Sequence, residues 1–259
     1  MDLVERRGAV GRRHPWEVAR ARFFLSLLES HGALDQASQW LDVGAGDGWL
    51  GSELRARLPE RSPSSSSSSP SCSKVVCWDI NYTADDLGGP RPGPGVELTD
   101  RRPDQRFDGA LLLDVIEHVP DDEDFLGQVV ELMSPGGWVL VSVPAHPLLF
   151  STHDTALRHH RRYVPSQCAR LIDRAGIDIL VAGGVFHALM AVRGLQVARE
   201  RLAPPEPSST GVGQWEHGRT LTGALTSVLT AETRASAALA RRGWGAPGLS
   251  WWALGTRRR

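Results

Sequence analysis

The chain has 259 residues, of which 41% are hydrophobic, and it carries a formal net charge of −1. This length and composition favour one large globular domain with a real hydrophobic core, and the near-zero charge gives no argument for a nucleic-acid or anionic-membrane partner. The three cysteines, Cys72, Cys77 and Cys168, form no Cys-x-x-Cys pair, which argues against a disulfide framework or a zinc site and favours a reducing, cytoplasmic environment.

The N-terminal region is predicted to form a flexible tail followed by a helix. Residues 1–13 are charged and aperiodic, which is typical of a loose terminus. No apolar segment follows the basic residues, so no secretory signal is predicted. Apolar side chains then recur on one side of a helical pattern over residues 14–31, and Gly32 is placed to end that helix.

Residues 41–48 join a strand, a glycine turn and a helix. Apolar residues 40–43 predict the strand, glycines follow at positions 44, 46 and 48, and the next leucines recur at helical spacing. Glycine permits a positive φ or a close approach of the backbone to a ligand. The turn also presents free N–H groups at a helix N-terminus, where anionic or polar groups bind. The stretch is therefore predicted to be the first βα unit of a nucleotide-binding sheet.

Strands and helices alternate through the rest of the first two thirds of the chain. A serine-rich, low-complexity segment at residues 61–73 is predicted to be a disordered loop. Beyond it, mostly apolar strands are predicted at residues 74–78, 96–98, 107–114, 138–143 and 177–185. Amphipathic helices are predicted between them, at residues 121–133 and 166–175. With a last strand near the C-terminus, this pattern predicts an α/β fold with a doubly wound, mostly parallel seven-stranded sheet.

The C-terminal third is predicted to carry a helical insertion before the last strand. Residues 187–202 are amphipathic, residues 221–241 have a helical, alanine-rich pattern, and residues 249–254 form a strand in which Trp251 and Trp252 face opposite sides.

We therefore divide the chain into a tail at residues 1–13, a core at 14–185, a lid or substrate insertion at 186–248, and a last strand and tail at 249–259. The longest nearly apolar run, at residues 179–192, is too short for a spanning helix of roughly 20 residues. The arginine-rich polar face of the first insertion helix leaves a peripheral membrane contact open.

Several spaced motifs, in the right order, resemble those of class I S-adenosylmethionine-dependent methyltransferases of the ubiquinone-biosynthesis O-methyltransferase-like branch. Leu-Asp-Val-Gly-Ala-Gly-Asp-Gly at residues 41–48 resembles the family's first motif, and Asp-Val-Ile-Glu-His-Val at 114–119 resembles its fourth-strand motif. Ser-Pro-Gly-Gly-Trp at 134–138 resembles the Leu-x-Pro-Gly-Gly turn before the fifth strand. The resemblance covers residues 16–185 and implies a Rossmann-like methyltransferase fold that binds S-adenosylmethionine.

The resemblance also implies which residues bind the cofactor. The glycine turn is expected at the methionine end, Asp79 at the ribose hydroxyls, and the residues around Asp100 and Val115 at the adenine. The expected set is Asp42, Gly44, Ala45, Gly46, Gly48, Asp79, Ile80, Asp100, Asp114 and Val115. The alternatives are a turn that serves only folding and, for Asp79, a solvated strand end.

The glycine spacing separates this turn from two other nucleotide sites. A dinucleotide fingerprint requires G-x-G-x-x-G, whereas the glycines here are spaced G-x-G-x-G. No second glycine-rich turn follows for another nucleotide half, and the lysine of a P-loop is absent. A nicotinamide oxidoreductase therefore remains only as the less favoured alternative.

Asp114, Glu117 and His118 follow the fourth strand and allow three interpretations. In the first, Glu117 and His118 hydrogen-bond the loop and have a structural role. In the second, His118 is a general base that removes a proton from the acceptor. In the third, Asp-x-x-Glu-His holds a hard metal ion, because it resembles the Glu-x-x-Glu-His ligands of ubiquinone-type and small-RNA 2′-O-methyltransferases. We predict no metal, and we expect His118, His159 and Glu117 to be the catalytic residues.

Residues 153–163 are rich in histidine and arginine just after the fifth strand, where the edge of the sheet meets substrate. His-x-Arg-Arg-Tyr in this segment resembles a subgroup of bacterial methyltransferases. In one interpretation, ion pairs join this loop to Asp114, Glu117 or the acidic residues 121–124. In the other, the arginine pair binds a carboxylate or phosphate of the acceptor.

Together these expectations describe a methyltransferase that uses S-adenosylmethionine and acts on a small-molecule or lipid- or glycan-linked acceptor. Oxygen is the preferred acceptor atom, because a histidine base or a metal helps a hydroxyl most. No nucleic-acid partner is expected. The alternative from another class is a non-catalytic scaffold or partner protein with the same fold, which the intact Asp42, glycine turn and Asp79 disfavour.

Overall fold

The computed structural model describes residues 13–60, 73–203 and 218–259. Its helices are α1 (Pro15–Ser30), α2 (Ala33–Gln36), α3 (Trp49–Arg55), α4 (Ala84–Gly88), α5 (Asp122–Glu131), α6 (Thr152–Ala156), α7 (Pro165–Arg174), α8 (His187–Leu202) and α9 (Arg219–Ala240). Its strands are β1 (Gln39–Val43), β2 (Lys74–Trp78), β3 (Val96–Thr99), β4 (Phe107–Leu113), β5 (Met133–Pro144), β6 (Ile177–Val185) and β7 (Ser250–Arg257).

The strands form one seven-stranded sheet in the order β3-β2-β1-β4-β5-β7-β6. Strand β7 is antiparallel to both of its neighbours, and the pairs from β3 to β5 are parallel. The chain runs outward from β1 to β3 and then returns to place β4 on the other side of β1. The carboxyl ends of β1 and β4 therefore flank the crevice where such sheets bind ligands. The predicted doubly wound α/β fold is confirmed.

The two faces of the sheet bury separate hydrophobic clusters. Trp40 and Trp252 belong to one cluster, and Leu112 and Trp251 belong to the other, which confirms the prediction that the two adjacent tryptophans face opposite sides. Helices α1 and α9 pack against each other, and α9 also packs on β6. Phe23 of α1 lies edge-on to Trp252, with ring centroids 5.3 Å apart.

The helices of the predicted insertion take two different positions. Helix α9 covers the sheet beside α1, so it belongs to the layer that buries the core. Helix α8 instead crosses the loop that follows β5, where Glu200 accepts a hydrogen bond from the Thr152 N–H at 3.3 Å and Arg201 donates one to the Leu148 carbonyl at 2.8 Å. Of the two helices, α8 is therefore the one that contacts the loop after β5.

Two residues at the edges of the predicted flexible segments are held by the fold. Arg13 pairs with Glu17 and Asp47, so the predicted tail is too long by this residue. Ser73 is fully buried and its hydroxyl donates a hydrogen bond to the Pro59 carbonyl at 2.8 Å, so the loop prediction is also wrong by one residue. The rest of both segments, and the stretch between α8 and α9, lies outside the described residues.

None of the helices in the described ranges is long and apolar enough to cross a membrane.

Candidate functional site

The glycine turn between β1 and α3 is held in a conformation that excludes other side chains. Gly44, Gly46 and Gly48 have φ angles of 61°, 57° and 71°, in the left-handed region that favours glycine. A Cβ atom on Gly44 would lie 2.8 Å from Cγ2 of Val115, and one on Gly48 would lie 2.8 Å from Cγ of Pro92. The turn is therefore restricted to glycine by its backbone angles and, at these two positions, by close neighbours.

Asp79 ties the end of β2 to the glycine turn. Its carboxylate is buried, with Oδ2 accepting a hydrogen bond from the Gly46 N–H at 2.9 Å. Oδ1 accepts from the Asn81 N–H, also at 2.9 Å. Oδ1 also accepts from the side-chain amide of Asn81 at 3.1 Å, so Oδ2, which has one lone pair unused, is the oxygen that can accept a further hydrogen bond from a hydroxyl.

Asp42, the acid that precedes the glycines, has unused hydrogen-bonding capacity. Its Oδ2 atom is buried and has no hydrogen-bond partner within the described ranges. Burial raises the pKa of Asp42 to about 7, against the opposing effect of Arg20. A buried oxygen without a partner is costly unless a ligand donates to it. Asp42 also lines the pocket beside Gly44 and Ala45, and a carboxyl group there fits a polar ligand with hydrogen-bond donors, as the methionine end of S-adenosylmethionine has.

Helix α1 forms the outer wall of the pocket around this turn. Arg13 and Arg20 line the pocket together with Asp42, Gly44 and Ala45. Sequence reasoning missed both arginines, because no local pattern connects α1 with a turn that follows the next strand.

Acidic and aromatic side chains hold each of these arginines. Arg13 pairs with Asp47 and lies over the Trp49 ring, 4.1 Å from its centroid. Arg20 pairs with Asp114 and lies over the ring of Trp16 at 4.3 Å.

The other expected cofactor residues are spread along the same edge of the sheet. Val115 lies against Gly44. Asp114, in the left-handed region at φ 57°, accepts a hydrogen bond from the Ser142 hydroxyl at 3.0 Å. Ile80 is 77% exposed and Asp100 is also exposed, each just beyond its strand. The structure therefore brings Asp114 and Val115 next to the turn and leaves Ile80 and Asp100 open to solvent.

The three expected catalytic residues lie together. Ligand atoms of Glu117, His118 and His159 are all within 4.8 Å of one another, and the two imidazole rings pack edge-on with centroids 4.7 Å apart. Glu117 is fully buried, and burial, with a further contribution from nearby Asp114, raises the pKa of its carboxyl well above the ordinary value. Burial therefore disfavours the ionised form of Glu117.

The same cluster bears on the metal hypothesis. The resemblance implies Asp114, Glu117 and His118 as ligands, but the structure holds Asp114 against Arg20 and brings His159 to the other two residues. Three such groups at this spacing fit a divalent cation in principle. They form a different set from the one that the sequence suggested.

Asp154 orients His159, and sequence reasoning did not identify this role. It is fully buried and lies 3.0 Å from Nδ1 of His159, while Nε of Arg162 donates to it at 2.8 Å. Burial alone would raise the pKa of Asp154, but the hydrogen bonds from His159 and Arg162 outweigh burial and lower it below the usual range.

An ionised carboxylate only accepts hydrogen bonds, so Nδ1 of His159 carries a proton, and in the neutral imidazole Nε2 is the nitrogen with the free lone pair. A sequence signal for Asp154 existed, because Ser151 and Asp154 form the capping box of helix α6.

The arginines of the loop after β5 are used within the protein. Arg161 pairs with Asp122 at 2.8 Å and donates to the Pro120 carbonyl, and Arg162 donates to Asp154 and to the Ala145 carbonyl. These contacts favour the interpretation in which ion pairs join the loop to the protein over the one in which the arginine pair binds an acceptor carboxylate or phosphate. Ion pairs hold this loop in place. Asp122 was among the partners expected from the sequence, but Asp154 was not.

Comparison with known proteins connects this arrangement to one family. A family profile described as a methyltransferase domain matches residues 12–181. A Mycolicibacterium smegmatis protein named "Probable S-adenosylmethionine-dependent methyltransferase" is 32% identical over 87 residues, covering 33% of this chain and 34% of that protein. A ubiquinone biosynthesis O-methyltransferase of Paramagnetospirillum magneticum is 30% identical over 173 residues, covering 58% and 63%. The chain thus spans between about a third and under two thirds of the curated relatives it matches.

Solved structures share the fold at low sequence identity. An N-methyltransferase, NodS, from Bradyrhizobium japonicum WM9, in complex with S-adenosyl-L-homocysteine, superimposes with a TM-score of 0.51 and 12% identity. That comparison covers 95% of this chain and 90% of the other. At this identity it shows the fold alone.

Proposed function

The chain belongs to the methyltransferase-domain family, and on that premise we propose that it transfers the methyl group of S-adenosylmethionine to a hydroxyl oxygen of a small-molecule or lipid- or glycan-linked acceptor. One observation carries the choice of oxygen. His159 is held by an ionised, buried Asp154 and packs against His118. His118 belongs to the same loop as Val115, which lies against Gly44 of the glycine turn. A hydroxyl must lose its proton as it is methylated, and this pair is built to take it.

The cofactor supplies a methyl group on a sulfonium that is already electrophilic. The protein has to hold the two reactants in line and exclude water. In our proposal the glycine turn and Asp42 bind the methionine end, Asp79 accepts hydrogen bonds from the ribose hydroxyls, and the adenine lies between Val115 and Asp100. Ile80, exposed beside Asp79, is then covered by the bound cofactor.

His159 acts as the general base in this proposal. Because Nδ1 donates to Asp154, Nε2 is the nitrogen that accepts the proton of the acceptor hydroxyl, and Asp154 stabilises the imidazolium that forms. His118 packs against the same ring and narrows the space in which an acceptor hydroxyl can lie. Burial disfavours the ionised form of Glu117, and both of its carboxyl oxygens are without a hydrogen-bond partner among the described residues, so this carboxyl group can bond to an acceptor that enters beside the base.

The experiment follows a labelled methyl group into product. Purified protein is incubated with methyl-¹³C S-adenosylmethionine and a small-molecule and lipid extract of its host, and products with one added methyl are sought by mass and by their carbon shift. We expect a methoxy product. His159→Asn should lower its rate by about 10²–10⁴-fold at unchanged S-adenosylhomocysteine affinity, whereas Ser166→Ala, at the first turn of α7, should have no effect.

Three outcomes would contradict the proposal in different places. A product methylated at nitrogen or carbon would remove the oxygen assignment while leaving methyl transfer intact. Loss of turnover with a chelator, restored by a divalent ion, would replace the histidine base with a metal held by Glu117, His118 and His159. Full activity of His159→Asn would remove His159 from the chemistry.

A further inference from the structure

The outer face of helix α8 carries a continuous apolar stripe that the protein leaves in solvent. Exposed apolar residues recur at intervals of three or four along its whole length: Ala188, Ala191, Val192, Leu195, Ala198 and Leu202. The three largest are 51%, 74% and 87% exposed at Val192, Leu195 and Leu202. A stripe with this period on a surface helix normally faces a core, and here the stripe faces outward.

The opposite face of α8 is already occupied. Val197 is buried, Glu200 accepts from the Thr152 N–H of the loop after β5, and Arg193 donates to the Ser151 hydroxyl at 3.2 Å. At the flank of the stripe, exposed Arg201 donates to the Leu148 carbonyl. The helix therefore cannot turn its apolar stripe inward without losing these contacts. The same loop presents Leu148, which is 77% exposed and lies beside the carboxyl end of the helix through its bond to Arg201.

The exposed charged residues of helix α8 are all basic. Arg199 and Arg201 are exposed on α8, while its single acidic residue, Glu200, is half-buried and bonded to the Thr152 N–H. Helix α9, which meets the start of α8, repeats the pattern: Arg234 is exposed and Glu232 is half-buried, accepting from the Ala188 N–H at 3.0 Å. The chain as a whole has 29 basic and 30 acidic residues, so this basic surface is a local feature.

We propose that α8, with Leu148 beside it, docks on the surface of an anionic lipid bilayer and lies in the plane of the interface. An amphipathic helix with an apolar stripe and flanking arginines binds such a surface through buried apolar area and attraction to anionic headgroups. An anionic bilayer matches both the apolar stripe and the arginines, whereas an apolar peptide or a neutral ligand does not match both. Lipid docking by α8 does not depend on the methyl-transfer site, so it can be tested independently of the proposed function.

Docking at this helix would affect the candidate site through three successive contacts. Arg193 of α8 bonds Ser151, the Ser151 N–H donates to Asp154 at 3.0 Å, and Asp154 lies against His159. A helix held at a membrane therefore braces the loop that positions the histidine.

The test is co-sedimentation of the full chain with vesicles. We expect binding to vesicles of phosphatidylcholine with phosphatidylglycerol, weakened by salt, and much less binding to phosphatidylcholine alone. Leu195→Glu should reduce the partition coefficient about tenfold or more, and Arg199→Glu about fivefold or more. The matched control is Leu180→Glu on β6, which makes the same change at another exposed leucine and should bind as the wild type does.

Each other outcome overturns the proposal. Wild-type protein that stays in the supernatant with anionic vesicles refutes lipid docking, and equal losses in the Leu195 and Leu180 variants refute the role of α8. If the wild type is a dimer in sedimentation velocity and Leu195→Glu is a monomer, the stripe is covered by a second copy of the chain. Far-UV circular dichroism and S-adenosylhomocysteine affinity of every variant confirm that a lost interaction is not a lost fold.

Discussion

An alanine at position 44 should destabilise the fold and weaken cofactor binding together, because the glycine there meets two separate restrictions. Its φ of 61° is left-handed, which costs an alanine about 1–2 kcal/mol. The added Cβ would also lie 2.8 Å from Cγ2 of Val115, a side chain that is stiff at χ1, and overpacking of this kind costs about 1–3 kcal/mol. Gly44→Ala should therefore lower the free energy of unfolding by about 2–5 kcal/mol.

Two further variants separate these costs. Gly136 has a φ of 79°, and no neighbouring atom lies within 4 Å of the place that a Cβ would take there, so Gly136→Ala should cost only the conformational part, about 1–2 kcal/mol. Val115→Ala removes the methyl groups that an alanine at position 44 would meet. In the double variant it should therefore recover about 1–3 kcal/mol as a coupling energy.

Urea unfolding measures the stabilities, and calorimetry with S-adenosylhomocysteine measures the affinities. Gly44→Ala should weaken binding at least tenfold, since it moves the turn that we propose holds the ligand, and Gly136→Ala should leave binding unchanged. The reasoning is wrong if the two glycine variants cost the same, if Val115→Ala shows no coupling, or if the affinity of Gly44→Ala equals that of the wild type.

Two predictions concern buried carboxyl groups. The pKa of Asp42 is raised to about 7 in the folded state. The free energy of unfolding of the wild type should therefore fall by up to about 4 kcal/mol relative to Asp42→Asn as the pH rises from about 4 to above 7. Parallel curves of stability against pH for the two proteins would contradict this prediction. The pKa of Asp154 is lowered instead, so its contribution is present above the unfolded-state pKa and is lost as the pH falls through the folded-state value. Asp154→Asn should lower the free energy of unfolding by about 3 kcal/mol near neutral pH, and the difference from the wild type should shrink below about pH 4. Denaturant titrations that show the same difference at every pH would contradict this prediction.

The sequence was sufficient for the parts of the fold that depend on local pattern. Strand β1, the glycine turn and the acid at position 79 follow from apolar runs, glycine spacing and a strand end, and the structure places all three where the pattern predicts them. The apolar strands also predict the doubly wound sheet, because continuous hydrophobic runs separated by amphipathic helices fit a sheet covered on both faces.

The sequence was insufficient where residues distant in the chain meet. Arg20 and Asp114 are 94 positions apart, and nothing in either neighbourhood indicates that α1 reaches the loop after β4. The ion pairs of Arg161 and Arg162 likewise depend on where that loop folds back. Helix α6, in contrast, has a sequence signal in the capping box at Ser151, but it was not predicted. The many histidines and arginines of the segment suggested a loop instead.

Isothermal titration of the wild-type protein with S-adenosylmethionine, S-adenosylhomocysteine and NADPH tests the central claim most directly. We predict saturable binding of the first two ligands, lost in Gly46→Val while circular dichroism shows the variant folded, and no binding of NADPH. No binding of S-adenosylmethionine or S-adenosylhomocysteine at millimolar concentration, or saturable binding of NADPH alone, would contradict the proposal that this glycine turn holds S-adenosylmethionine.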